Sequence, residues 1–190
     1  MGLLEQLVTP LGKALKNKRP GTKSSYQHRT ELQAIGTIEL NSDSFPNGVA
    51  IPDKHAGKGR GENLSPEFHW SKLPESTKQL MFVMEDIDVP FEKPILHFLA
   101  FFSLDVKDLP EGALTSDNST ITFISDRKKR KQYNGPRALP GHGTHRYLFH
   151  LYALDKEIGI TDKHNNIETI LPEVNEHVLA SGHYAGTQIG

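Results

Sequence analysis

The chain has 190 residues, a formal net charge of −1 and no cysteine. That length is enough to bury one core and points to a single domain; the near-neutral charge carries no nucleic-acid footprint, and the lack of thiols excludes disulfides and fits a reducing compartment. No apolar run approaches the ~20 residues of a membrane span, and Glu5 and Gln6 break the first apolar stretch with no charged region before it, so a signal peptide is not expected and the default location is cytoplasmic.

Leu3, Leu4, Leu7, Val8, Leu11 and Leu15 recur at helical spacing and predict an amphipathic helix over 2–17, kinked or restarted at Pro10. Gln6 stands where a myristoylation motif wants Ser or Thr. Lys13, Lys16, Lys18 and Arg19 make the far end basic. Such a helix suits a membrane surface or a partner groove; the plainer reading packs it on its own domain. Residues 18–30, rich in Lys, Arg, Pro, Gly and Ser, read as a linker. The chain then divides into a helix (1–18), a linker (19–31) and a domain (32–190).

From Leu32 onward the signals are mostly β. Residues 34–40 and 119–124 alternate; Leu80 to Met84, Ile95 to Phe102 and Tyr147 to Leu154 are near-continuous apolar runs. Continuous runs fit strands covered on both faces, as in the central sheet of a sandwich. After Thr161, residues 165–171 and 173–180 read as helical pieces around Pro172. One charge run, Arg127-Lys128-Lys129-Arg130-Lys131, falls in a loop.

Two segments at the ends of these runs carry the chemistry: Asp86-Ile87-Asp88-Val89-Pro90 leading to His97, and Gly135-Pro136 leading to Gly143-Thr144-His145-Arg146-Tyr147. Strand alternation puts Asp86 and Asp88 on one face with Phe82 and Met84, His97 with Leu99 and Phe101, and His145 with Tyr147 and Phe149. Each polar group thus heads an apolar stripe. On residue types alone the aspartates also read as turn formers, the histidines and Tyr147 as core, and Arg146 as an ion-pair partner. Two Asp and two His are also a conceivable cation set.

The three ordered segments Asn63-Leu64-Ser65-Pro66 with Trp70 and Pro74, Asp86-x-Asp88-x-Pro90 with His97, and Gly143-x-His145-Arg146-Tyr147 resemble the phosphatidylethanolamine-binding protein family, which includes the Raf kinase inhibitor proteins, over about residues 33–186. The wording from Gly135 to Gly143 is most similar to fungal members. The resemblance implies a mostly β, sandwich-like fold with a large central antiparallel sheet and peripheral helices. It also implies an anion pocket lined by Asp86, His97, His145 and Tyr147, with Asp88 beside them and Pro136 and Gly143 at the rim, and neither metal nor cofactor. Imidazoles and a phenol donate to phosphate or carboxylate oxygens, and Asp86 is expected to favour the charged imidazole. The expected partners are a small anionic ligand or phospholipid head group, and a kinase, protease or pathway enzyme. A Val89–Pro90 cis bond is a further expectation. Ile87 departs from the family's proline, and the bulky, basic 124–132 stretch from its usual small residues. The alternative function is an enzyme or accessory factor of fungal secondary metabolism acting on anhydride or dicarboxylate units, with Asp86 or His145 as acid/base.

Overall fold

Strands form here where a run of large apolar side chains finds cover on both sides of the backbone. The computed structural model describes residues 3–125 and 130–190, so residues 127–129 of the basic run lie outside the described residues. The elements are α1 (Leu3–Leu15), five 3-10 turns (Thr22–Ser24, Tyr26–His28, Thr30–Leu32, Asp53–His55, Ile167–Thr169), β1 (Gly36–Thr37), β2 (Leu40–Asn41), β3 (Phe68–Trp70), β4 (Gln79–Asp86), β5 (Ile95–Ser103), β6 (Asp108–Leu109), β7 (Ile121–Ile124), β8 (Thr144–Leu154), α2 (Leu171–Val174) and β9 (Val178–Ile189). They build a six-stranded sheet, β1-β9-β8-β4-β5-β7, and a three-stranded one, β2-β3-β6. The large sheet is mixed because short β1 runs parallel to β9, while its other pairs are antiparallel.

The even positions of β4 and the odd positions of β8 face the small sheet. Phe82, Phe149 and Phe68 meet there, with Phe68 ring centres 5.1 Å from Phe82 and 4.8 Å from Phe149. Met81, Val83 and Tyr152 face the other way and are covered by Leu32, Ile167, Ile170 and α2. Both faces of β4 are therefore dry, which is why its run does not alternate.

The C-terminal reading needs correction. Residues 178–189 form the longest strand, and the helical part beyond Ile170 is confined to α2. Small residues hid the strand: Gly182 lies so close to Ile38 that a Cβ there would meet the Ile38 carbonyl at 2.7 Å. Close backbone approach selects glycine at the cost of β-propensity. Residues 18–30 also do more than connect. They form 3-10 turns, and Ser25 is buried. No peptide bond among the described residues is cis, so Val89–Pro90 is trans.

Candidate functional site

At the end of the large sheet nearest the β4–β5 turn, alternation delivers Asp86 and Tyr147 as directly paired residues of neighbouring strands, with His145 two positions from Tyr147 on the same face. His97 arrives by another route. Met84 pairs with Phe98 and Glu85 with Leu96, so His97 is the extra residue of a β-bulge. Strict alternation would have placed it with Leu99 and Phe101, whose side chains belong to the opposite layer. The bulge turns it toward Tyr147 instead, ring edge to ring face at 5.2 Å and 89°. Asp86, His97, His145 and Tyr147 are 3, 6, 1 and 0 % exposed, so the cluster is closed over.

Hydrogen bonds fix most of these groups. His145 Nδ1 lies 2.8 Å from Asp86 Oδ2, and its Nε2 lies 2.8 Å from His142 Nδ1. His142 Nε2 in turn reaches the carbonyl of Leu15 at 2.9 Å. Both ends of this chain are oxygens that only accept. Its links then need one hydrogen each, one more than two neutral imidazoles carry, so all form together only when the pair shares an extra proton. His97 donates from Nδ1 to the Asn134 carbonyl at 2.5 Å, which leaves Nε2 for another partner. Tyr147 Oη is buried with no hydrogen-bond partner.

Burial dominates the titration of the cluster. It pulls His97 below the usual imidazole range, against the opposing charge of Asp86 and the Asn134 carbonyl. Asp86 does favour the charged form of His97, as expected, but burial outweighs it. His142 is also lowered, by burial and then by the charges of His145 and Arg19. Tyr147 is raised well above its ordinary value by burial and then by Asp86.

The Asp88 N–H donates to Asp86 Oδ1 at 2.9 Å, but its carboxylate does not join the cluster. Arg146 grips it with Nε on Oδ2 at 2.7 Å, Nη2 on Oδ1 at 2.8 Å and the backbone N–H on Oδ2 at 2.9 Å. Arg19 adds a contact at 3.3 Å. Burial pushes the Asp88 carboxyl up, but these donors outweigh it and hold it below its ordinary value. Pro136 is buried, and its carbonyl accepts from Gly57 N–H. Gly143, at φ +94°, holds a left-handed turn in the rim that other residues adopt only with strain.

The rim is occupied by the chain's own N-terminal segment. A Cβ on Gly12 would run into the Pro140 carbonyl, so α1 touches the 139–143 loop with bare backbone. Arg19 donates to the carbonyls of Thr144 (2.6 Å) and His142 (2.5 Å) and straps this segment down. His142 is a member of the cluster that residue types alone do not single out. The signal for His142 was its spacing from His145 in a turn. Among the described residues, the carboxylate and imidazole atoms close enough to share a cation belong to Asp43, Glu67 and His69 on the small sheet, away from this cluster.

The family model for phosphatidylethanolamine-binding protein matches residues 41–189. A UPF0098 protein of Aquifex aeolicus is 30% identical over 158 residues, 78% of this chain and 86% of the relative. The Escherichia coli UPF0098 protein YbhB is 28% identical over 152 residues, 76% and 95% of the two chains. The structure is similar to that of a phosphatidylethanolamine-binding protein homologue of Chlamydia trachomatis, with TM-score 0.65 and 28% identity over 80% of this chain and 97% of the other. It also shares the fold of Escherichia coli YbcL, TM-score 0.72 at 21% identity over 80% and 98%. These relatives are bacterial, and they lend no support to the fungal likeness read from residues 135–143 or to a role in secondary metabolism.

Proposed function

Because the chain belongs to the phosphatidylethanolamine-binding protein family, we propose that it is a binding protein for a small phosphate- or carboxylate-bearing ligand, held by Asp86, His97, His145 and Tyr147 at the bulged end of the large sheet. The observation that carries the reading is Tyr147 Oη, a buried donor that makes no well-formed hydrogen bond although the Asp86 carboxylate lies close by. Leaving such a group unpaired costs about 1–3 kcal/mol, which a ligand oxygen would recover. The His97 ring packs edge-on against Tyr147 at 5.2 Å with its Nδ1 spent on the Asn134 carbonyl and Nε2 left for a ligand, and an anion would favour the protonated form of the linked His142–His145 pair. Entry runs past the 139–143 loop, so Arg19 and the end of α1 set access.

Calorimetric titration with inorganic phosphate, phosphoethanolamine and succinate tests this. Binding should saturate, weaken about five- to tenfold in Tyr147→Phe, and strengthen in Arg19→Ala. Titrations in which none of the three saturates, or in which Tyr147→Phe changes nothing, rule the reading out.

A second reading attaches to the outer side of α1, where Leu7 and Leu11 are 69 and 55 % exposed one turn apart, with Lys13 exposed in the helix's last turn. An exposed apolar ridge beside cations fits weak contact with an anionic lipid surface. Co-sedimentation with phosphatidylserine vesicles, lost in Leu7→Ser/Leu11→Ser, would establish it; equal sedimentation of the two proteins would end it.

A further inference from the structure

We infer that the molecule carries a second binding site, on the opposite face of the large sheet, for a small organic anion with an oxyanion head and a short apolar body. Its foundation is the residue next to Asp86. Glu85 points to the other side of β4, is fully buried, and accepts from Ser25 Oγ, from the Tyr26 N–H at 3.1 Å and from His150 Nε2 at 2.8 Å. His150 is itself buried, and its Nδ1 lies 2.8 Å from Nδ1 of His183.

Proton counting sets what His183 offers. A carboxylate only accepts, so His150 Nε2 donates, and a single hydrogen lies between the two Nδ1 atoms. An oxyanion in the cleft needs a donor on His183 Nε2, which requires the hydrogen between the two Nδ1 atoms to sit on His150, the ring beside the Glu85 carboxylate. Neutral His183 then keeps its hydrogen on Nε2, which lies 3.2 Å from Ser181 Oγ in the free protein. The titration agrees in direction: burial of the inner side of its ring, then the charges of His150 and His28, push His183 down to about 4.

His183 stands at an open cleft of 270 Å³, near the lower bound of about 300 Å³ for small-molecule sites. Arg146, Gln27 and Asn47 line its polar side, Ile87 and Leu148 its apolar side, and no carboxylate lies among the lining residues. Arg146 spends Nε and Nη2 on Asp88, while Nη1 meets Thr22 Oγ1 at 3.3 Å beside the cleft. A wall of donors next to an apolar wall selects a ligand with one anionic end. Gln27 and Thr22 precede residue 41, where the family match begins, so part of this cleft is made by the chain's own N-terminal segment.

The test is a titration of the full chain, followed by backbone-amide and histidine-ring NMR, with phenyl phosphate, benzoate and inorganic phosphate. The His183 ring and the Gln27 side-chain amide should shift saturably, with phenyl phosphate or benzoate bound several-fold tighter than inorganic phosphate; which of the two binds tighter identifies the head group. His183→Ala should weaken this binding about tenfold or more. So should Gln27→Glu, which puts a negative charge in the cleft without touching the histidine pair. Shifts confined to His145 and His97, an affinity unchanged in both variants, or no saturable shift up to tens of millimolar would overturn the inference. Because Tyr147→Phe reads the other face alone, failure of one site is told apart from failure of the other.

Discussion

Among the described residues, two tyrosine hydroxyls, on Tyr147 and Tyr152, are buried without a well-formed hydrogen bond, one on each face of the large sheet. Removing either should relieve an unpaired donor, so Tyr147→Phe and Tyr152→Phe should each leave the free protein as stable as wild type or more stable by about 1 kcal/mol. Urea unfolding checks this, and a clear loss of stability in Tyr147→Phe would mean its hydroxyl is already engaged. Only Tyr147→Phe should also weaken anion binding. Alternation put His145 with Tyr147 on one stripe and Asp86 at the head of another, and the pairing of Asp86 with Tyr147 joins the two, a step only the family likeness had implied. For His97 alternation gave the wrong face, because a one-residue bulge leaves no mark in the composition, and only the family likeness placed it in the pocket. Arg146 as an ion-pair partner was also legible, whereas the Glu85–His150–His183 cluster was not: its three members lie on three strands whose pairing is non-local, and the first residues of the third strand read as helix.

Elements were legible in proportion to their apolar content. β4, β5 and β8 announce themselves by long runs of large side chains, whereas β9 is built around Ala180, Gly182 and Gly186, which fit where neighbouring backbone and side chains come too close for anything larger. α1 sits at the opposite extreme, clear in its periodicity but silent about what it covers. Gly12 decides that contact. Alanine there should add up to about 1 kcal/mol of helix propensity while driving its Cβ into the Pro140 carbonyl. The expected outcome of Gly12→Ala is a better helix that no longer seats: faster proteolytic cleavage within residues 18–30, faster anion association, and a melting temperature close to wild type, because α1 belongs to neither core cluster. Unchanged cleavage would show that the contact tolerates a methyl group.

For the molecule as a whole, the histidines set the response to acid. His55, His97, His142 and His183 all titrate below the ordinary 6.5, each with burial as the leading cause. A lowered folded-state value means the unfolded chain binds more protons, so stability is complete above pH 6.5 and falls as pH drops through the lower folded values. Asp88 extends the loss below its ordinary 3.8, while half-buried His69, which is raised by Glu67, works weakly the other way. Denaturant midpoints should therefore decline steadily from pH 7 toward pH 4, and a flat profile would mean these rings are solvated. The adjacent acids of β4 carry one more consequence. Leu80 to Met84 are all 0 % exposed, so apolar burial alone barely distinguishes the strand from its inverted placement. Glu85 and Asp86 break that tie, since each finds donors only on its own side and inversion would bury both against hydrocarbon. The two carboxylates thus act as a proofreading mark for folding: replacing both with leucine would leave a greasier strand with two nearly equal ways to lie, and a chain that collapses without choosing between them.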